Sequence, residues 1–208
     1  MNKFLCLKRP FIWLSRFRNR CGYGIHSPFA FGMVTDVIYE RRSYYSYRTL
    51  SKEKKEYLKA KGWERESSKI NHLLFRLVNR IQPKEIITIG RPCVSTLYLR
   101  AGKPTAQFTL MSPDSTHASL NHSTPIDFLY IDDCQNPATV EDVFNGFVDC
   151  ATPHGVFVIR GICYSSKMKR LWKQIIEDER VGITFDLYDI GLLFFDLGKI
   201  KQHYIINF

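Results

Sequence analysis

Residues 85–99 read EIITIGRPCVSTLYL. Ile86, Ile87 and Ile89 are β-branched and nearly continuous, the composition of a central parallel strand covered on both faces. Gly90 permits a turn. Ser95 or Thr96 can then cap a helix that carries Leu97, Tyr98 and Leu99. Strand, glycine turn and helix in this order open many nucleotide-binding α/β sheets, in which the helix N-terminus faces the ligand. Arg91 and Pro92 follow the glycine where such turns keep small residues, and proline removes a backbone N–H from the turn.

The chain on either side agrees with a sheet. Upstream, residues 67–82 (SSKINHLLFRLVNRIQ) place Ile70, Leu73, Leu74, Leu77, Val78 and Ile81 on one helical stripe that Pro83 ends. Downstream, 107–111 (QFTLM) and 126–131 (IDFLYI) read as strands. The second closes on Asp132 and Asp133, carboxylates at the edge where such sheets bind ligands. Asp132 is the leading site candidate, to accept hydrogen bonds from a ligand or to cap the following segment. Asp114, just past the second strand, is a candidate for a ribose contact or part of a proline-directed turn. A helix over 139–151 and a strand over 155–159 follow, the strand ending in Arg160-Gly161. Arg160 suits either ligand recognition or a salt bridge that closes the crevice. A further helix covers 166–180. The tail places strands at 184–188, 191–195 and 203–208, whose short connections predict antiparallel neighbours.

The front of the chain differs in character. The formal net charge is +10, but residues 1–84 carry +13 and residues 85–208 carry −3. A basic front joined to a slightly acidic α/β part points to an anionic partner, to a complementary surface on the same chain, or to a solvated basic face. Residues 11–20 (FIWLSRFRNR) set Phe11, Leu14 and Phe17 one turn apart, an amphipathic helix suited to docking on its own domain or on a membrane interface. Ser27-Pro28 predicts a capped helix start. His26 before it suits a catalytic role or a turn anchor. Tyr44, Tyr45 and Tyr47 lie beside Arg41, Arg42 and Arg48, a pattern for packing or for base stacking. A charged helix is expected over 51–66. The division that follows is a basic helical segment over 1–66 and an α/β domain over 67–208.

Several classes fall away. With 45% hydrophobic and 14% aromatic residues the chain is not of disordered type. The six cysteines form no CxxC pair, so reduced thiols and a cytoplasmic setting are expected. The first twenty residues lack an unbroken apolar core and a small-residue cleavage site, and no run nears the roughly 20 apolar residues of a spanning helix. No helix-turn-helix, RNP-like or zinc motif is present.

A mostly parallel sheet finished by an antiparallel hairpin resembles the class I S-adenosylmethionine-dependent methyltransferases. More closely, Gly24-Ile25-His26-Ser27-Pro28-Phe29, residues 71–78 (NHLLFRLV), Gly90 with Ser95–Leu99, Asp127–Asp133 and the terminal hairpin resemble small bacterial methyltransferase-like proteins carrying a GxHSPF segment. The resemblance implies a three-layer Rossmann-like sheet with N-terminal accessory helices. It also implies S-adenosylmethionine as cofactor and a small-molecule or macromolecular methyl acceptor. Gly90, Ser95, Asp114, Asp132 and Asp133 would serve the cofactor, with His26 and Asp132 as catalytic candidates. Departures are equally specific. Arg91, Pro92, Cys93 and Val94 differ from the usual loop, and Met111-Ser112 stands where an acidic ribose ligand is expected. Arg160-Gly161 replaces the Asp-Asn pair that completes the metal site of metal-dependent members. The resemblance therefore implies no metal centre and a degenerate cofactor loop, with a non-catalytic binding module as the alternative outcome.

Overall fold

The computed structural model describes residues 3–61, 67–112, 124–132 and 135–208. Its described strands are β1 (Glu85–Ile89), β2 (Gln107–Met111), β3 (Ile126–Ile131), β4 (Ala151–Arg160), β5 (Ile183–Asp186), β6 (Ile190–Phe194) and β7 (Gln202–Ile205). They form one sheet in the order β2-β1-β3-β4-β6-β5-β7. β1 to β4 are mutually parallel, β6 is antiparallel to both β4 and β5, and β7 is parallel to β5. β6 alone therefore runs against the rest, as the expected methyltransferase-type sheet with its C-terminal hairpin requires.

One tail strand pairs differently from expectation. The short link after β6 predicts an antiparallel neighbour, yet β7 crosses the end of β5 and joins its outer edge. β6 is already bonded on both sides, by β4 and by β5, so it has no free edge to offer. The outer row of β5 is unpaired until β7 covers it, and an unpaired edge is a liability.

Helices fill both faces. On one lie α2 (Pro28–Met33, continuing as a π-helical turn over Val34–Ile38), α4 (Ser68–Ile81) and α5 (Val94–Gly102). The other carries α6 (Pro137–Phe147) and α7 (Ser166–Glu177). Alternation along β1 divides the cores. Ile86 joins Leu73, Leu74, Leu77 and Val78 of α4, whereas Ile87 and Ile89 join Phe144 and Phe147 of α6 and Trp172 of α7. Ala30, Met33, Val34, Val37 and Ile38 lie in the same core as Ile86, so the front of the chain completes one face of the sheet. Ser27 caps α2 as predicted, its hydroxyl accepting from the Ala30 N–H at 3.3 Å with Pro28 next in line.

α4 and α5 approach closely at Gly102. A Cβ there would lie 2.7 Å from the Val78 Cβ and 2.8 Å from the Phe75 carbonyl oxygen. Neither atom is the free end of a flexible side chain, so Gly102→Ala forces the helices apart. We expect a loss of about 2–3 kcal/mol, within the range for overpacking, measured as a shift in urea midpoint with unchanged slope.

The front helices depart from the sequence reading in register. α3 (Ser46–Lys61) starts five residues before the expected serine cap and takes in Tyr47. Tyr44 and Tyr47 pack edge-on against Phe75, and Tyr47 also stacks on His72 at 3.9 Å. Packing is thus the role of these two tyrosines, while Tyr45 is 98% exposed. α1 (Lys3–Ser15) passes through Pro10 and ends before the basic residues expected to continue it. It docks on its own domain, but by its arginines. Arg9 pairs with Asp189 at 3.0 Å and Arg16 with Asp186 at 2.8 Å. Phe11, Leu14 and Phe17 of the apolar stripe are exposed. No described helix is long and apolar enough to cross a membrane.

Candidate functional site

The C-terminal edge of β1, β2 and β3 is held by backbone contacts around Gly90. Its N–H donates to the Met111 carbonyl at 3.1 Å, and the Asp132 N–H donates to Ile89 at 2.8 Å. Gly90 has φ +142°, and a Cβ would press on Asp132 Cβ and its carbonyl oxygen at 3.2 Å. Only glycine suits that combination of backbone angle and close approach. The turn therefore brings bare backbone against the carboxylate that ends β3.

Asp132 is held by partners on two other elements. Arg160, at the end of β4, donates from Nη1 to Oδ1 at 2.7 Å. Cys93, at the head of α5, donates from Sγ to Oδ2 at 3.3 Å. The Asp132 side chain is 6% exposed and that of Arg160 is 20% exposed. Of the two roles open to Arg160, the structure shows the salt bridge. A guanidinium brings planar hydrogen bonding as well as charge, so it neutralises a carboxylate at this edge without a metal. Among the described residues no group of three or more His, Cys, Asp or Glu side chains is arranged to hold a metal ion.

The helix after the turn begins two residues earlier than the serine reading. Cys93 is the cap residue of α5, with its N–H donating to Thr96 Oγ1 at 3.4 Å. Ser95 is consequently inside the first turn and 1% exposed. Its hydroxyl donates to Asn71 Oδ1 on α4 at 3.0 Å, with the Tyr130 hydroxyl 3.5 Å away. Thr88 lies opposite Tyr130 in the sheet. The Asn71 amide nitrogen and the Thr88 hydroxyl are buried without a hydrogen-bond partner. Unmet polar capacity beneath a glycine turn is unusual in a core and is a reason to look for a ligand or water there.

The other candidates are placed as follows. Asp114 and Asp133 lie outside the described residues. His26 is exposed, in the loop leading into α2. Phe29, three residues on, stacks edge-on against Phe194 at 5.1 Å, and Ser27 lies by the Tyr204 hydroxyl. Phe194 pairs with Val156, early in the sheet-paired part of β4, so this is the end of the sheet opposite Asp132 and several strands away. The structure does not bring His26 to Asp132. The Ser27-Pro28 cap sends the loop that carries His26 to the β5–β7 flank.

Sequence reasoning missed Cys93, Asn71 and Tyr130. Cysteine is an uncommon cap, so Ser95 and Thr96 drew the helix start two residues late. Asn71 could have been found as a polar residue one position after Ile70, on the strongest apolar helix of the chain.

Comparison with known proteins supports the fold. No protein-family model matches the chain, and no curated protein matches its sequence. Solved structures do. An O-methyltransferase from Bacillus cereus in complex with SAH is 16% identical, covering 77% of this chain and 94% of its own, with a TM-score of 0.52. An SAH-bound methyltransferase from Podospora anserina is 11% identical and covers 94% and 97% at a TM-score of 0.52. An O-methyltransferase described as putative, from Klebsiella pneumoniae, is 13% identical and covers 77% and 94% at a TM-score of 0.55. The chain has the fold of these methyltransferases.

Proposed function

We propose that this chain is an S-adenosylmethionine-dependent methyltransferase that works without a divalent metal. The observation that carries the reading is the Gly90 turn closed on Asp132, with Arg160 in ion pair on that carboxylate. The fit of the cofactor rests on two features of the chain. Gly90 keeps side-chain bulk out of the buried turn at the head of α5, where it packs on Asp132, and Asn71 and Thr88 retain unmet hydrogen-bonding capacity nearby. When bound, the cofactor supplies an electrophilic sulfonium methyl group. The protein then has to orient the acceptor rather than activate it strongly.

Each residue has a limited task in this scheme. Gly90 lets the turn close on Asp132 without side-chain bulk. The first turn of α5 presents its N-terminal dipole end, which favours a carboxylate. Arg160 and Cys93 hold Asp132 at the base of the crevice, so its oxygens are engaged in positioning and not in proton abstraction. With His26 at the far end of the sheet, the reading favours an acceptor that already carries a nucleophilic lone pair.

Titration calorimetry with S-adenosylmethionine and with SAH, in the presence of a chelator, tests this. Saturable binding unaffected by the chelator is expected. Gly90→Val should weaken it at least tenfold while the thermal midpoint stays high enough to keep the protein folded. Methyl transfer is then read with labelled cofactor. A second reading is favoured by the same Arg160–Asp132 pair: a crevice closed by its own ion pair, in a binding module without catalysis. No saturable binding at millimolar cofactor would select that reading.

A further inference from the structure

A cavity lies at the C-terminal end of the sheet and uses none of the residues around Asp132. α4 turns through 82–84 directly into β1, so it runs antiparallel to β1 and its N-terminal end stands where β1 finishes. Asn207 and Phe208, which follow β7, reach the same end. Between them and the front helices opens a cavity of about 490 Å³, within the usual range for small-molecule sites.

Its charge is lopsided. Arg20, Arg41, Arg42, Lys69 and Arg76 line it, and among the described lining residues Glu40, 3.9 Å from Arg42, is the one acidic side chain. The arrangement is built rather than incidental. Arg76 is buried on α4 and donates from Nε to the Val37 carbonyl at 2.6 Å and from Nη2 to Ile38 at 3.1 Å. It thereby fixes the backbone that leads into Glu40, Arg41 and Arg42. Arg20 lies over the Trp13 ring at 5.3 Å, and Lys69 over the Phe208 ring at 4.1 Å. Lys69 is exposed as a residue, but its ammonium is partly desolvated and lies against the Phe208 ring, which pulls it below the ordinary lysine range against the pull of Asp189, and Arg76 and Arg9 add to the lowering. Clustered cations of this kind repel one another, and an anion among them relieves the repulsion.

We propose that this cavity is a binding site for a small molecule carrying a phosphate or carboxylate group. Guanidinium groups match the planar two-oxygen edge of such groups, and Lys69 adds a compact charge. Trp13, Tyr39 and Phe208 offer apolar walls for the body of the ligand. The site stands independently of cofactor binding at Gly90.

The test uses the full chain without cofactor. Pyrophosphate and citrate are titrated at low ionic strength, alongside an Arg41→Glu/Lys69→Glu variant. Both positions are exposed, and the variant is checked for an unchanged thermal midpoint. Saturable binding of either probe, weakened at least tenfold in the variant and reduced by added salt, supports the proposal. Which probe binds more tightly assigns phosphate or carboxylate. No saturable binding of either at 10 mM (about the weakest affinity a specific site would show) overturns it, as does binding equal in the variant. Short RNA or anionic vesicles bound more tightly than both probes, and lost in the same variant, would also overturn it in favour of a macromolecular surface.

Discussion

Replacing Arg160 with methionine is expected to destabilise the fold by about 3 kcal/mol, the lower end of the cost of breaking a buried ion pair from one side. The reasoning starts from Asp132, whose side chain is 6% exposed and fixed by the Ile89 carbonyl on its own N–H. Removing the guanidinium takes away the charged donor on Oδ1, and the Cys93 thiol on Oδ2 is only a weak donor. The lower end is chosen because Arg160 is itself 20% exposed, so part of its desolvation was never incurred. The double variant Asp132→Asn/Arg160→Met removes the uncompensated charge and should recover at least half of the loss. Denaturant unfolding of the two singles and the double gives the coupling directly. Equal loss in the single Arg160→Met and the double variant would show that arginine packing, rather than charge pairing, sets the cost. The same proteins bear on function. If the ion pair closes the crevice, Arg160→Met binds cofactor more tightly than the parent despite its lower stability. If the pair shapes the site, it binds less.

Much of this architecture was legible because it rests on local pattern. The β-branched run at Ile86–Ile89, the α4 stripe from Ile70 to Ile81 and the carboxylate after Ile131 each follow from periodicity or composition. Strands 107–111 and 126–131 fall where they were read. What failed depended on partners remote in sequence. β7 pairs with β5 because β6 had no free edge, a fact of the assembled sheet. The front segment turns Arg9 and Arg16 toward the sheet because Asp189 and Asp186 wait on a hairpin 180 and 170 residues away in sequence. No periodicity in residues 11–20 carries that information, and the stripe of Phe11, Leu14 and Phe17 argued for the opposite face. In the candidate site, Gly90 and Asp132 were visible as a turn glycine and a strand-end acid. Arg160 was visible only as two alternatives, and distance decided between them. His26 was selected by residue type, and its position on the far flank follows from the packing of Phe29 on Phe194.

Arg16→Met should cost about 3–4 kcal/mol, far more than the equivalent change at Arg9, although both residues tie the same helix segment to the same hairpin. Asp186 is 6% exposed and takes two parallel hydrogen bonds from Arg16, at 2.8 and 3.1 Å, while Arg16 also reaches the Asp186 carbonyl at 3.3 Å. Tyr188 donates its N–H to the same carboxylate at 2.7 Å and sits at φ +70°, a costly angle for a tyrosine. The Arg16 guanidinium also stands over the Tyr188 ring at 5.3 Å. Losing Arg16 therefore leaves a buried charge and a strained turn together. Arg9 is 41% exposed, and Arg9→Met should cost less than about 1 kcal/mol. Hydrogen exchange would separate a local release of the front segment from global unfolding. The segment also carries the Trp13 carbonyl that accepts from Asn207 Nδ2 at 3.0 Å, and the Asn19 carbonyl that accepts from the Asn207 N–H at 2.8 Å. Those contacts set one wall of the cationic cavity. Arg16 lines no part of it, yet Arg16→Met should weaken pyrophosphate or citrate binding there while leaving binding at the Gly90 turn near the parent value. Weakening at both places equally would mean that the variant acts through general loss of structure, and would remove the strap from the account of the cavity.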